Sequence, residues 1–94
     1  MDKKYFVYIL ETQNDTLYCG YTDDVKKRYQ KHLDGTGAKY TKAFKPRKLL
    51  YVAGFETKQE ATKEEYRIKH LTRSEKIRLI EENIGDNIVG KVGV

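Results

Sequence analysis

The chain has 94 residues, 38% hydrophobic and 35% charged, which predicts one globular domain with a small core and excludes a disordered protein. One cysteine excludes an internal disulfide, suits a cytoplasmic protein and, with only two histidines, excludes the usual structural zinc site. The net charge of +5 favours nucleic acid as a partner, and no apolar run is long enough to cross a membrane.

The first predicted elements form an antiparallel β-hairpin. Residues 4–10 are aromatic and β-branched with scarcely a polar position, which predicts a central strand covered on both faces. After a turn signal at 13–15, residues 16–22 alternate as a second strand, with Tyr18 and Cys19 on opposite faces.

The rest of the chain predicts three helices and one more strand. In chain order these are a helix over about 24–33, a basic connector over 39–48, a strand over 49–55, a helix over about 57–71 and a helix from about 72 to Gly85. Asp23 or Asp24 caps the first helix, and capping boxes open the other two at Thr57 and Thr72. The order β-β-α-β-α-α predicts an α/β (α+β) fold: a three-stranded, mainly antiparallel sheet flanked by helices, formed by residues 1–85, with a flexible tail over 86–94.

Two predicted helices carry charged side chains on the side that faces the sheet. On the first helix, Arg28 and His32 share an arc with its apolar residues. On the second, Glu64 lies on the apolar stripe and Glu65 at its edge, and helical geometry does not choose between them. A carboxylate directed at the protein body needs a metal, an arginine or a proton.

Each of these observations also has a purely structural interpretation. Tyr8 and Tyr18 could be ordinary aromatic side chains of the sheet, and Arg28 with Glu65 could form a structural ion pair. Cys19 is expected to be a small core residue rather than a nucleophile. The connector is either a solvated loop or a strip that follows phosphates, with base stacking on its aromatic rings, and its candidate nucleic-acid-binding residues are Lys39, Tyr40, Lys42, Lys45, Arg47 and Lys48.

Five elements, in order and with fitting gaps, resemble the GIY-YIG nuclease superfamily. They are Phe6-Val7-Tyr8, Tyr18-Cys19-Gly20, Arg28, His32 and Glu65. The phrase Gly37-Ala38-Lys39-Tyr40-Thr41 is similar to the small single-domain UPF0213 (YhbQ-like) subgroup. The chain departs from the family pattern at two positions, with Phe6 in place of a glycine and Cys19 in place of an apolar residue. In some relatives a lysine follows the glycine of the second motif, and here that place is Tyr21.

The resemblance implies a metal-dependent endonuclease that hydrolyses DNA, or RNA, in repair or processing. Glu65 would hold one divalent ion, Mg²⁺ or Mn²⁺, and Arg28 would stabilise charge on the scissile phosphate. Tyr18 would position or deprotonate the attacking water with Tyr8 as its partner, or with the roles exchanged, and His32 would orient a tyrosine or shuttle a proton. The alternative is a nucleic-acid-binding module that cuts little or not at all. A domain of this size predicts little sequence specificity, unless a protein partner supplies it.

Overall fold

The computed structural model describes residues 3–82 and 87–93. Three antiparallel strands form one sheet in the order β2-β1-β3, so that β1 is central as predicted. The elements are β1 (Tyr5–Thr12), β2 (Leu17–Thr22), α1 (Val25–Leu33), α2 (Lys39–Ala43), β3 (Pro46–Phe55), α3 (Lys58–Lys69), α4 (Arg73–Glu82) and a 3₁₀ turn at Val89–Lys91. The predicted order β-β-α-β-α-α and the α+β fold class are confirmed, with α2 as an additional short helix.

The helix boundaries follow the predicted capping chemistry. The side chain of Asp24 accepts a hydrogen bond from Lys27 N at 3.1 Å at the start of α1. Thr57 accepts one from Glu60 N at 3.2 Å at the start of α3, and Thr72 accepts one from Glu75 N at 3.2 Å at the start of α4. These contacts satisfy backbone N–H groups that a helix leaves unpaired at its N-terminus.

The sheet is covered on both faces. On one face, Ala61 and Ile68 of α3 pack with Val7, Ile9 and other buried residues, joined by partly buried side chains of α4. On the other face, Val25 of α1 packs with Tyr8, Leu10 and Val52. The alternation of β1 side chains thus divides the core into two clusters, and Tyr8 and Tyr18 lie on the α1 side, whereas Tyr5 and Tyr21 lie on the α3 side.

The basic connector is structured, unlike the expected loop. Residues 39–43 form α2, and β3 begins at Pro46 rather than at 49. A proline is acceptable there because β3 is an edge strand and the position coincides with a register shift against β1. Arg47 and Lys48 therefore lie on a strand.

Residues 87–93 also differ from the flexible tail expected over 86–94. The side chain of Asn87 accepts from Val52 N at 3.0 Å and donates to Leu50 O at 2.9 Å, while Ile88 N donates to Val52 O at 2.9 Å. Ile88, Val89 and Val92 pack against the α1-side core. The reason is that the outer edge of β3 offers unpaired backbone groups, which this segment satisfies. Gly85, the predicted end of the last helix, lies outside the described residues.

No helix in the described ranges is both long enough and apolar enough to span a bilayer.

Candidate active site

Two strands and a helix bring three of the candidate residues into contact. Tyr8 lies on central β1, Tyr18 on edge strand β2, and His32 on α1. The His32 ring centroid is 5.6 Å from that of Tyr8 and 5.3 Å from that of Tyr18, and the two tyrosine rings are 6.4 Å apart. The Tyr8 hydroxyl is 2.7 Å from His32 Nε2, and both side chains are buried.

The position of Tyr8 depends on Gly20. The two residues are paired across β1 and β2, and the phenol ring crosses the glycine. A Cβ at position 20 would lie 2.4 Å from the Tyr8 hydroxyl oxygen and 2.7 Å from Cζ. The glycine of the second motif therefore makes the space that the tyrosine of the first motif occupies.

His32 is held on its other side by a residue that the sequence analysis did not assign. Its Nδ1 lies 2.7 Å from the Thr41 hydroxyl on α2, and Thr41 has no exposed surface. A Cβ at position 37 would lie 2.6 Å from His32 Nδ1, so Gly37 allows this close approach. Both residues belong to the phrase Gly37-Ala38-Lys39-Tyr40-Thr41, whose similarity to the UPF0213 subgroup is the sequence signal that could identify them.

The environment keeps both His32 and Tyr8 neutral at physiological pH. Burial, with a smaller effect from the Arg28 charge, lowers the pKa of His32 to about 4. Burial also raises the pKa of Tyr8 well above its usual range, and the Arg28 side chain beside its hydroxyl opposes this rise only in part. Tyr8 therefore keeps its proton at neutral pH.

The lowered pKa of His32 predicts a loss of stability in mild acid. The unfolded histidine takes up a proton near pH 6.5 and the folded one only near pH 4. The contribution of neutral His32 to the free energy of unfolding is therefore intact above pH 6.5. It falls as the pH decreases, and about 3 kcal/mol is lost at pH 4. Urea unfolding at pH 7 and pH 4 should show this loss in the wild type and a correspondingly smaller loss in His32→Gln.

His70→Gln is the matched control, because His70 is exposed and its ring contacts only Tyr66, through the carbonyl oxygen and the phenol ring, among the side-chain contacts described for it. This variant should lose as much stability as the wild type. Equal losses in His32→Gln and the wild type would contradict the assigned pKa.

Arg28 extends the site towards solvent. Its Nε is buried and has no hydrogen-bond partner within residues 3–82 and 87–93. The side chain also lines an open cleft of about 440 Å³ whose walls include Thr22 and Lys58. A buried donor without a partner is costly, which is the condition expected of a group that awaits an anionic ligand.

The two candidate carboxylates have different partners. Arg67 binds Glu64 through two contacts, at 2.6 and 2.9 Å, whereas Glu65 has a single longer contact of 3.5 Å with Lys69. No ion pair joins Arg28 to Glu65 in the part of the chain that the structure describes, so the interpretation of these two as a structural pair was wrong. Glu65 is the less neutralised of the two carboxylates.

Glu65 lies on the opposite side of the edge strand from Tyr18. It belongs to α3, which packs on the face of the sheet that contains Cys19. Burial, followed by the charge of Glu65, raises the pKa of the Cys19 thiol to about 12. Cys19 is thus the buried core residue that was predicted, and its protonated thiol is a poor nucleophile.

A divalent ion would have one protein carboxylate here. The described residues contain no group of three histidine, cysteine or acidic side chains that could hold a metal. Mg²⁺ commonly binds through one or two carboxylates and keeps several waters, so Glu65, whose side chain is 18% exposed, fits this mode. Lys69, which is half exposed, can move away from it.

The candidate nucleic-acid-binding residues divide into two groups. Lys39, Lys42 and Lys45 are exposed on or beside α2, and Tyr40 stacks on Tyr18 with centroids 6.2 Å apart and planes at 17°. Tyr40 also bonds the Thr16 hydroxyl and lies 5.3 Å from the exposed ring of Phe44. This group adjoins the tyrosines of the site.

The second group lies on β3, and its described contacts are with the β1–β2 hairpin. Arg47 contacts Asp15 at 2.7 Å, Glu11 at 3.4 Å and the Gln13 carbonyl oxygen at 3.0 Å, and so fixes the hairpin loop. Lys48 is exposed and is paired in register with Glu11. The structure therefore does not join these two residues to the lysines of α2.

Comparison with known proteins gives the same family throughout. The family model described as the GIY-YIG catalytic domain matches residues 4–78. The chain is 51% identical over 81 residues to a UPF0213 protein of Oceanobacillus iheyensis, covering 86% of this chain and 94% of the relative, and 51% identical over 78 residues to one of Staphylococcus aureus, covering 83% and 95%. A solution NMR structure of a UPF0213 protein from Bacillus halodurans has a TM-score of 0.56 and 43% identity, covering 86% of each chain.

Proposed function

Because the chain belongs to the GIY-YIG catalytic domain family and to the UPF0213 proteins, we propose that it is a metal-dependent endonuclease that hydrolyses DNA phosphodiester bonds during repair or processing. Family membership implies an endonuclease-like function with nucleic acid as the substrate. The observation that carries the proposal is the contact of Tyr8, Tyr18 and His32 beside an arginine whose buried Nε has no partner. The single buried cysteine suits action in the cytoplasm.

In the proposed reaction, Arg28 binds the scissile phosphate. Its planar guanidinium presents several donors to phosphate oxygens and stabilises the charge that grows as water attacks phosphorus and the bond to the leaving alcohol breaks. The open cleft beside it, which Lys58 also lines, gives room for a phosphate. The unpartnered Nε supports this role.

The tyrosines have different proposed roles. Tyr8 keeps its proton and serves as a fixed hydrogen-bonding group, because burial raises its pKa. Tyr18, which is only partly buried, first loses its hydroxyl proton to solvent; as the phenolate it positions the attacking water and receives the proton of that water, while the leaving alkoxide takes a proton from solvent. His32 holds Tyr8 in place through the 2.7 Å contact.

A divalent cation at Glu65, Mg²⁺ or Mn²⁺, would add Lewis-acid stabilisation of the phosphate. Glu65 is suited to hold it because its only described ion pair is the long contact with Lys69.

The test is cleavage of labelled single-stranded, duplex and branched DNA, with a parallel RNA series. Purified protein should nick at least one DNA in Mg²⁺ or Mn²⁺ and stop when a chelator is added. Arg28→Ala should abolish nicking while DNA binding survives. Binding without cutting on every substrate would instead select the binding-module function, and cutting by Arg28→Ala would contradict the site. If activity requires cell extract, a protein partner supplies specificity.

The basic face of α2 is the proposed path of the substrate backbone. Lys39 and Lys42 are exposed next to Tyr40, which stacks on Tyr18. Replacing either lysine with alanine should weaken binding and lower the slope of log affinity against log salt by about 1, because one phosphate contact is lost. Fluorescence anisotropy in chelator, without cleavage, measures this slope.

Lys63→Ala removes the same charge from the exposed side of α3 and is the control. Its salt slope should equal that of the wild type. An equal change in all three variants would mean that only the overall charge of the protein matters.

A further inference from the structure

We propose that Thr41 is a positioning residue of this site, which keeps the ring proton of His32 on Nδ1 so that Nε2 accepts the hydroxyl proton of Tyr8. The proposal of a role in the reaction rests on the proposed nuclease function. The hydrogen-bond order itself does not, and it can be measured without any substrate.

The order follows from the Ala38 carbonyl oxygen, which stands at the end of this series of hydrogen bonds and can only accept. The Thr41 hydroxyl lies 3.3 Å from the carbonyl oxygen of Ala38, and a carbonyl has no proton to give. In the proposed order the hydroxyl donates to Ala38, whose carbonyl oxygen also accepts from Lys42 N at 3.0 Å, and offers its lone pairs to His32 Nδ1, 2.7 Å away. A neutral imidazole with its proton on Nδ1 has an acceptor at Nε2.

The same order gives the Tyr8 hydroxyl a defined direction. At 2.7 Å from Nε2, the hydroxyl donates to the ring and keeps its lone pairs for donors from Arg28, whose side chain lies beside it. With the opposite tautomer, the Tyr8 oxygen would accept from both His32 and Arg28, and its own proton would have to find another partner. The proposed order satisfies each of these buried groups in turn.

The segment around α2 is built to hold this contact. Thr41 and His32 have no exposed surface, and Gly37 leaves the space against the imidazole that a Cβ would fill at 2.6 Å from Nδ1. Thr41 is also the buried residue of α2, whose exposed side carries the lysines of the proposed DNA path. One short helix thus faces the substrate on one side and fixes the imidazole on the other.

The test is the histidine tautomer measured by long-range ¹H–¹⁵N NMR at neutral pH. His70 gives an internal reference, because its Nδ1 lies 2.7 Å from the Tyr66 carbonyl oxygen and must donate to it. His32 in the wild type should show a protonated Nδ1 and a bare Nε2. Thr41→Val, which removes the hydroxyl but keeps the shape, should shift the proton towards Nε2, and Thr41→Ser should restore the wild-type pattern.

The matched control is Thr36→Val, an exposed threonine whose hydroxyl contacts only the Lys31 carbonyl oxygen among its described contacts. It should leave the His32 signals unchanged. A wild-type His32 protonated at Nε2, or an unchanged tautomer in Thr41→Val, overturns the proposal. If Thr41→Val does not fold, the wild-type and Thr41→Ser spectra still decide the hydrogen-bond order.

Activity tests the role in the reaction. Thr41→Val should lower kcat for DNA cleavage by about 10- to 100-fold with little change in KM, as expected when a group that orients an active-site histidine is lost, and Thr41→Ser should recover most of it. A predicted tautomer shift with unchanged kcat would refute the positioning role. No cleavage by the wild type on any substrate would refute the nuclease function and the positioning role, while the NMR result would still decide the hydrogen-bond order.

Discussion

Replacing Glu65 with glutamine is expected to reduce metal-dependent DNA cleavage by about a hundredfold or more. The amide keeps the size of the side chain but removes the charge of Glu65, which, unlike the adjacent Glu64, has no close arginine partner among the described residues. Weaker metal binding removes Lewis-acid stabilisation of the phosphate, which is worth several kcal/mol in metal-assisted hydrolysis. Initial rates over a range of Mn²⁺ concentrations measure the effect, and excess metal should rescue the variant in part.

Glu64→Gln is the matched control. Glu64 is one position away on the same helix, but Arg67 already binds both of its oxygens. This variant should cut at close to the wild-type rate and show the same metal dependence. The opposite result, with Glu64→Gln inactive and Glu65→Gln active, would transfer the metal site to Glu64 and would require Arg67 to move.

Replacing Gly20 with alanine is expected to damage both folding and cleavage. The new Cβ would lie 2.4 Å from the Tyr8 hydroxyl oxygen, and this ring is buried between β1 and α1 and has nowhere to move cheaply. Overpacking of this kind costs about 1–3 kcal/mol of unfolding free energy. A displacement of about 1 Å at the site is worth about a hundredfold in rate. Urea unfolding and cleavage rates measure the two effects.

Gly90→Ala separates this clash from any general effect of losing a glycine. Apart from its two chain neighbours, no residue that the structure describes has an atom within 4 Å of the position that its Cβ would take. We therefore expect stability and rate to remain close to those of the wild type. If Gly20→Ala has the same stability and cleavage rate as Gly90→Ala, the close packing of the Tyr8 ring against Gly20 is contradicted.

The features that the sequence predicted well are those decided by short-range chemistry. The capping boxes at Thr57 and Thr72 and the N-cap of α1, predicted at Asp23 or Asp24 and found at Asp24, each involve residues three positions apart, so local sequence is sufficient to locate them. The central position of β1 followed from its lack of polar residues, because only a strand covered on both faces can be so apolar.

The features that the sequence could not give depend on long-range contacts. Thr41 resembles any threonine in a basic segment until the fold places it 2.7 Å from His32, nine residues earlier in the chain. Arg47 was grouped with the connector lysines because they are adjacent in sequence, yet it bonds to the hairpin loop at Asp15. Helical periodicity left Glu64 and Glu65 open, and only the family resemblance favoured Glu65, because periodicity carries no information on the ion pair that Arg67 makes with Glu64.

The segment after α4 has a consequence for how molecules of this protein meet one another. A three-stranded sheet has two open sides at which another chain could add a strand and begin a growing assembly. By occupying the main chain of β3 at Leu50 and Val52, Asn87 and Ile88 block one of these sides with the protein's own residues. The other side is β2, and Arg28 and Lys58 line a cleft with Thr22 of this strand, so that their positive charges favour the phosphate of the proposed substrate there.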